Sequence, residues 1–153
     1  MTQPDSVLTV RPAGAGDEPA VIALIEQLFD PPSSRPPGYT VDLGREGLRW
    51  ALAEPAADVL LAFEGKRLVG LSSVYADIQS IRFGPRCWLQ DLVVEKTRRG
   101  AGVGAALLRA SAAWARARGC THLELSSGAA RTDAHRFYIS QGMVQSYTFT
   151  LWL

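Results

Sequence analysis

The chain has 153 residues, 47% of them hydrophobic, which suits one compact domain with its own core and leaves too little for two. A formal charge of +1 excludes a general nucleic-acid binder, since phosphate-driven affinity needs a broad excess of Lys and Arg. Residues 1–6 carry no basic region followed by an apolar one, and no apolar run approaches the roughly 20 residues of a membrane span, so a soluble cytoplasmic protein without a membrane partner is expected.

In chain order, Val7 to Arg11 alternates like a strand. Gly14 to Asp17 then supplies a turn and an N-cap for a helical pattern from Ala20 to Phe29, which the Pro- and Ser-rich loop from Pro31 to Gly38 ends. A second helix is predicted over Asp42 to Ala53, with Leu43, Leu48 and Leu52 inward. Asp58 to Phe63 and Arg67 to Tyr75 flank Glu64-Gly65-Lys66 and form an antiparallel hairpin. A polar loop, Asp77 to Pro85, leads to a strand ending at Val94. A helix follows from Gly102 to Arg118, capped by Gly119. A strand at His122 to Ser126, a short helix from Thr132 or Asp133 to Ser140, and a last strand from Met143 to Leu153 complete the order. Strands that start as a hairpin and later alternate with helices make a mixed sheet of α/β (α+β) class in a single domain, residues 1–153.

The chemistry concentrates in Arg98-Arg99-Gly100-Ala101-Gly102-Val103-Gly104-Ala105, between the strand Trp88 to Val94 and a helix. Phosphate oxygens need converging N–H donors with no side chain in the way; glycines permit that approach, and the first-turn amides of a helix are unpaired and favoured by its dipole. The run lacks the GK[ST] end of a P-loop and is too short for G-x-G-x-x-G, so a pyrophosphate cradle and a plain tight turn with helix packing both fit it. Lys96 to Leu123 holds six cations and no carboxylate, which suits an anion or a solvated helix face. The two cysteines, Cys87 and Cys120, form no CxxC, and with two histidines there is no ligand cluster, so no metal is expected.

The ordered set of Trp88-Leu-Gln-Asp-Leu-Val-Val94, Arg99-Gly-Ala-Gly-Val-Gly104, Gly119-Cys-Thr-His-Leu-Glu-Leu125 and Asp133-Ala-His-Arg-Phe-Tyr-Ile-Ser-Gln-Gly142 resembles the GNAT superfamily of acyl-CoA-dependent N-acetyltransferases over nearly the whole chain. The resemblance implies acetyl-CoA as cosubstrate, with its pyrophosphate on the amides of Arg99, Gly100, Ala101, Gly102, Val103, Gly104 and Ala105. Its pantetheine arm would pair as an added strand along Leu92, Val93 and Val94, where the sheet splays. Arg98 and Lys96 are candidates for the outer phosphates, or are simply solvated. Tyr138 matches the family's general acid, a phenol that stays protonated at neutral pH and can serve the departing thiolate. As a bare sequence feature it would equally be a core aromatic beside Phe137.

An ammonium must lose a proton before it attacks, and many relatives place a carboxylate in the strand before the glycine loop. Some carry Glu where Gln90 stands, which leaves Asp91 as the nearby base, or as a fixer of an amide or helix end. Gln90 and Asp91 should face opposite sides unless a bulge intervenes. The segment Glu124 to Tyr138 with Gln145 to Phe149 resembles the aminoalkylphosphonate branch, and Arg131, with Arg82 and Arg86, would suit an acceptor amine bearing an anion. Ala76 to Phe83 lacks the histidine-rich segment of that branch, so no role tied to those histidines carries over. The resemblance thus implies direct acetyl transfer to a small-molecule amine. Polyamines, aminoglycosides, amino acids, protein amino groups and a noncatalytic CoA-binding module remain open. The resemblance also implies a homodimer, and the aromatic terminal strand from Tyr147 to Trp152 offers an edge and apolar surface that would need covering.

Overall fold

The computed structural model describes residues 7–153; residues 1–6, on which the expectation of no leader rests, lie outside the described residues. Nine main elements follow one another: β1 Leu8–Pro12, α1 Glu18–Ile25, α2 Val41–Ala53, β2 Ala57–Glu64, β3 Arg67–Ser80, β4 Gly84–Val94, α3 Val103–Ala117, β5 His122–Glu124 and α4 Thr132–Ser140. The sheet order is β1-β2-β3-β4-β5, antiparallel from β1 to β4 and parallel between β4 and β5. The expected mixed sheet is therefore present, open and flanked by four α-helices.

Two apolar layers hold it. On one face α3 lays Val103, Leu107 and Trp114 against Val69, Val74, Cys87 and Leu89; on the other, Val21 and Leu24 of α1 and Leu48 and Ala51 of α2 cover Leu61, Leu71 and Val93. Strands β2 and β3 are central, so they read as nearly continuous apolar runs rather than alternating ones. Thr40 caps α2, its hydroxyl accepting from the amide of Leu43 at 3.1 Å. Inside the α3 layer the hydroxyls of Ser72 and Ser111 pair at 2.8 Å, and Ser111 also donates to the Leu107 carbonyl, so this buried polar pair is satisfied.

Gly70 is where α3 approaches the sheet. A methyl group there would lie 2.8 Å from Val103 Cγ1 and 2.9 Å from Leu107 Cδ1, so only hydrogen fits under the first turn of the helix. That contact sets the distance between the glycine loop and the end of β4.

Two expectations need correction. The segment Asp77 to Pro85 is mostly strand, since β3 runs to Ser80 and β4 starts at Gly84, a long hairpin turning at Ile81 to Phe83. Its polar composition reflects a ribbon solvated beyond the core, stitched where Arg86 donates to both carboxylate oxygens of Asp77 at 3.0 and 2.8 Å. The last strand, Met143 to Leu153, does not form: those residues have no regular structure, and from Val144 onward they are exposed. A strand needs a partner for its N–H and C=O groups, and no other strand lies alongside this segment among the described residues.

Candidate active site

Parallel pairing between β4 and β5 covers three positions, Arg86 with His122, Cys87 with Leu123 and Trp88 with Glu124. β4 then continues six residues, to Val94, with β3 on one side and nothing of β5 on the other. This is the splay. It opens a cavity of about 670 Å³ between the end of β4, the glycine loop and α4, lined among others by Leu92, Val93, Val94, Gly102, Phe137 and Tyr138. The backbone edge of Leu92 to Val94 thus borders a space large enough for an extended ligand chain.

At the mouth the backbone of Gly100 and Gly102 is left-handed, with φ of +79° and +85°. Nothing lies within 4 Å of where a Cβ would stand on either, so a side chain there would project into open space beside the loop. Gly102 is also the N-cap of the fifteen-residue helix α3, whose first-turn amides are free of side-chain caps. Gly104 has a different reason to be glycine: a methyl group would meet the Phe137 ring at 3.3 Å, so it lets α4 close on α3. Of the candidate loop residues, Arg98, Arg99, Gly100, Gly102, Gly104 and Ala105 line the cavity, while Val103 is buried in the core.

The basic residues divide by partner. Arg98 donates to Glu64 Oε1 at 2.8 and 2.5 Å, and Lys96 pairs with Asp30 at 2.5 Å. Arg99 touches only the Val94 carbonyl, at 3.4 Å, and has no carboxylate partner among the described residues. It is the cation most available to a phosphate at this mouth.

A second cavity of about 200 Å³ adjoins the first, and Leu28, Leu92, Arg131, Ala134 and Tyr138 line both. Its own wall includes Gln90, Asp91 and the segment Leu125 to Gly128. The register explains how Gln90 and Asp91 reach one cavity. Ser73 pairs with Asp91 but Val74 with Leu89, so Gln90 is the extra residue of a β-bulge. Gln90 accepts from the Trp88 indole N–H at 2.7 Å. Asp91 Oδ2 accepts from the Ser73 hydroxyl at 2.6 Å. Burial pushes the Asp91 carboxyl above the ordinary aspartate range, partly offset by that hydroxyl. Burial likewise raises the Tyr138 phenol, with the nearby Arg131 charge opposing, so it stays protonated at neutral pH.

The three arginines considered for an anionic acceptor part company. Arg131 is at the junction of the cavities, donating to the Leu28 carbonyl at 2.9 Å and to the Ser33 hydroxyl at 3.0 and 2.5 Å, with no carboxylate partner among the described residues. Arg82 lies over the Phe83 ring at 4.5 Å and lines neither cavity. Arg86 is spoken for by Asp77 and Glu124. Sequence reasoning missed Ser73 and the residues Gln27, Leu28, Asp30, Pro31 and Pro32, which reach the site across the fold and carry no local signal for it.

Among the described residues no three His, Cys, Asp or Glu side chains gather as a metal site, and no helix is long and apolar enough to cross a membrane. Burial pushes the Cys87 thiol up to about 11, which leaves it protonated within the core.

The acetyltransferase (GNAT) family pattern matches residues 22–143. The chain belongs to the GNAT family. Acetyl-CoA is the cosubstrate of that family, and the open glycine cradle, the free β4 edge and the unmatched Arg99 fit such a group. Among curated proteins, an uncharacterized N-acetyltransferase of Bacillus subtilis, YhdJ, is 42% identical over 72 residues, 46% of this chain and 51% of that protein, so the match spans about half its length. The aminoalkylphosphonate N-acetyltransferase of Salmonella typhimurium is 33% identical over 103 residues, 67% of each chain. Among solved structures, the aminoglycoside N-acetyltransferase AAC(6')-Iy in complex with CoA superposes with a TM-score of 0.86 at 16% identity, covering 100% of this chain and 98% of that one, which shows the fold.

Proposed function

We propose that this protein transfers acetyl from acetyl-CoA to the primary amine of a small molecule bearing a phosphonate, phosphate or carboxylate. The observation that carries the reading is that Tyr138 lines both cavities, where a ligand lying along β4 would meet one entering past Asp91. When bound, acetyl-CoA supplies an activated acetyl thioester and a thiolate leaving group.

The protein's own residues do the rest. The amides of the Arg99 to Ala105 loop and the α3 N-terminus hold the pyrophosphate, Arg99 adds a cation, and the backbone of Leu92 to Val94 takes the arm as a strand takes its neighbour. Asp91 accepts the proton of the incoming ammonium, directly or through one water, and its raised pKa moves it toward the working range of a base. Tyr138 keeps its proton at Oη until the sulfur needs it. Gln90, held by Trp88, can orient the amine but cannot take a proton.

For the acceptor's anion the available group is Arg131, whose partners are a carbonyl and a hydroxyl and leave its charge unmatched. The similarity to the aminoalkylphosphonate enzyme points the same way. Comparing kcat/KM for aminoethylphosphonate with putrescine, an aminoglycoside and a simple alkylamine, by CoA release, tests this. The anionic amine should lead by about tenfold or more, the worth of one charged hydrogen-bonded pair. A clear lead for a polycation would return Arg131 to holding the Leu28 to Ser33 loop alone.

A further inference from the structure

Helix α2 buries Leu48 and Ala51 but keeps a second apolar stripe outside. Leu43, Gly47 and Trp50 stand at i, i+4 and i+7, so they share one face, and Leu43 and Trp50 are 54 and 57% exposed. Leu43, expected inward, thus faces solvent. The two glycines of the helix differ: a methyl group on Gly44 would meet the Tyr39 hydroxyl at 3.0 Å, whereas one on Gly47 would meet nothing within 4 Å. Glycine is costly inside a helix, and among the described residues no neighbour requires this one. It leaves a notch between Leu43 and Trp50.

The stripe borders an aromatic row on the sheet. Trp50 stacks on Tyr75, with ring centroids 6.1 Å apart and 26° between the planes. Tyr75 pairs directly with Trp88 in the β3–β4 register, so those two side chains are neighbours on one face. Trp88 in turn donates to Gln90 at 2.7 Å, and Gln90 walls the smaller cavity beside Asp91. Contacts therefore run unbroken from Trp50 to the acceptor cavity. Ser73, which lies opposite Asp91, is two residues from Tyr75, about 7 Å of strand. Burial raises the Tyr75 phenol and the Asp91 carboxylate adds to that rise, in keeping with their closeness.

We propose that the acceptor amine carries an aromatic ring, seated on Trp50 over the Gly47 notch, with Tyr75, Trp88 and Gln90 forming the passage to Asp91. This rests on the acetyl-transfer reading and narrows its substrate to an arylalkylamine whose anion faces Arg131. A ring roughly four bonds from nitrogen, at about 1.5 Å per bond, covers the span from Asp91 to the aromatic row. A cation is the poorer occupant. Arg86 already lies over the Trp88 ring at 4.8 Å, so the protein's own guanidinium fills that face. The exposed face of Trp50 is left for a neutral ring, which gains by offset or edge-on stacking as well as by leaving water.

The test compares two acceptors that differ only in the ring: an aminopropylphosphonate with its amine beside the phosphorus, and its terminal phenyl derivative. CoA release is followed with the parent chain, Trp50→Ala, Trp50→Phe and Gly47→Leu. In the parent the phenyl compound should lead in kcat/KM by about tenfold, through a lower KM. Trp50→Ala should erase the lead and Trp50→Phe should keep most of it. Gly47→Leu should also erase it by filling the notch, while melting no lower than the parent because leucine is the better helix former. No lead in the parent overturns the proposal, as does a lead that survives either Trp50→Ala or Gly47→Leu. Should Trp50→Ala fail to fold, Gly47→Leu decides alone. If no amine is acetylated by any form, the acetyl-transfer reading falls, and calorimetric titration of the phenyl compound into the parent and Gly47→Leu still decides the groove. Binding about tenfold weaker in the variant supports it; equal binding, or none to the parent, overturns it.

Discussion

Ser73 and Asp91 face each other across β3 and β4, and the Ser73 hydroxyl both donates to Asp91 Oδ2 at 2.6 Å and accepts the Asp91 amide at 3.0 Å. One hydroxyl therefore pins the backbone and the carboxylate on the strand that carries the bulge. Because the hydroxyl favours the charged carboxylate, Ser73→Ala should raise the Asp91 pKa further. The acidic limb of the kcat/KM profile should move to higher pH, with the loss at neutral pH recovered in alkali. A profile that stays in place would show that Asp91 is not the base.

Asp91 also makes a stability prediction with a definite sign. Its folded pKa lies above the unfolded value because burial penalises the charge. Its stabilising contribution is thus full in acid, below the unfolded aspartate pKa, and is lost as pH rises through the folded pKa. Asp91→Asn cannot ionise. It should melt like the parent near about pH 4 and above it at about pH 7, while turnover falls. Calorimetric melting across that range checks this, and a parent that gains on the Asn variant with rising pH would contradict it.

The glycine loop should separate binding from folding. Gly102→Ala puts a Cβ into open space at φ +85°, costing about 1 kcal/mol of stability in strain but weakening acetyl-CoA binding tenfold or more by narrowing the cradle. Gly70→Ala should do the reverse in emphasis. It should cost about 1–3 kcal/mol by crowding Val103 and Leu107, and it should affect binding only as α3 shifts. Denaturant melts and titration calorimetry on both variants would distinguish them.

The sequence carried the fold well where the signal is local. Periodicity located α2 and α3 to within a residue or so, and the Glu64-Gly65-Lys66 turn placed the β2–β3 hairpin. It failed where structure depends on a partner. Asp77 to Pro85 looked like a loop because a solvated ribbon has no buried face to mark its alternation, and Met143 to Leu153 alternated without a strand to pair with. In the candidate site, spacing marked Gly100 and Gly102, whereas Tyr138 and Arg131 were picked out only by the family resemblance. Ser73, the Gln90 bulge and the Arg131 tie to Ser33 were not, since each is fixed by contacts from distant chain.

The central claim is that Tyr138 serves the chemistry at the meeting of the two cavities, and Tyr138→Phe tests it most directly because only the hydroxyl is removed. Acetyl-CoA affinity by calorimetry should stay within a few-fold of the parent while kcat for CoA release with aminoethylphosphonate falls by about 10² to 10⁴, the usual worth of a general acid. Undiminished turnover in the Phe variant, or a parent enzyme that binds no acetyl-CoA, would contradict the account.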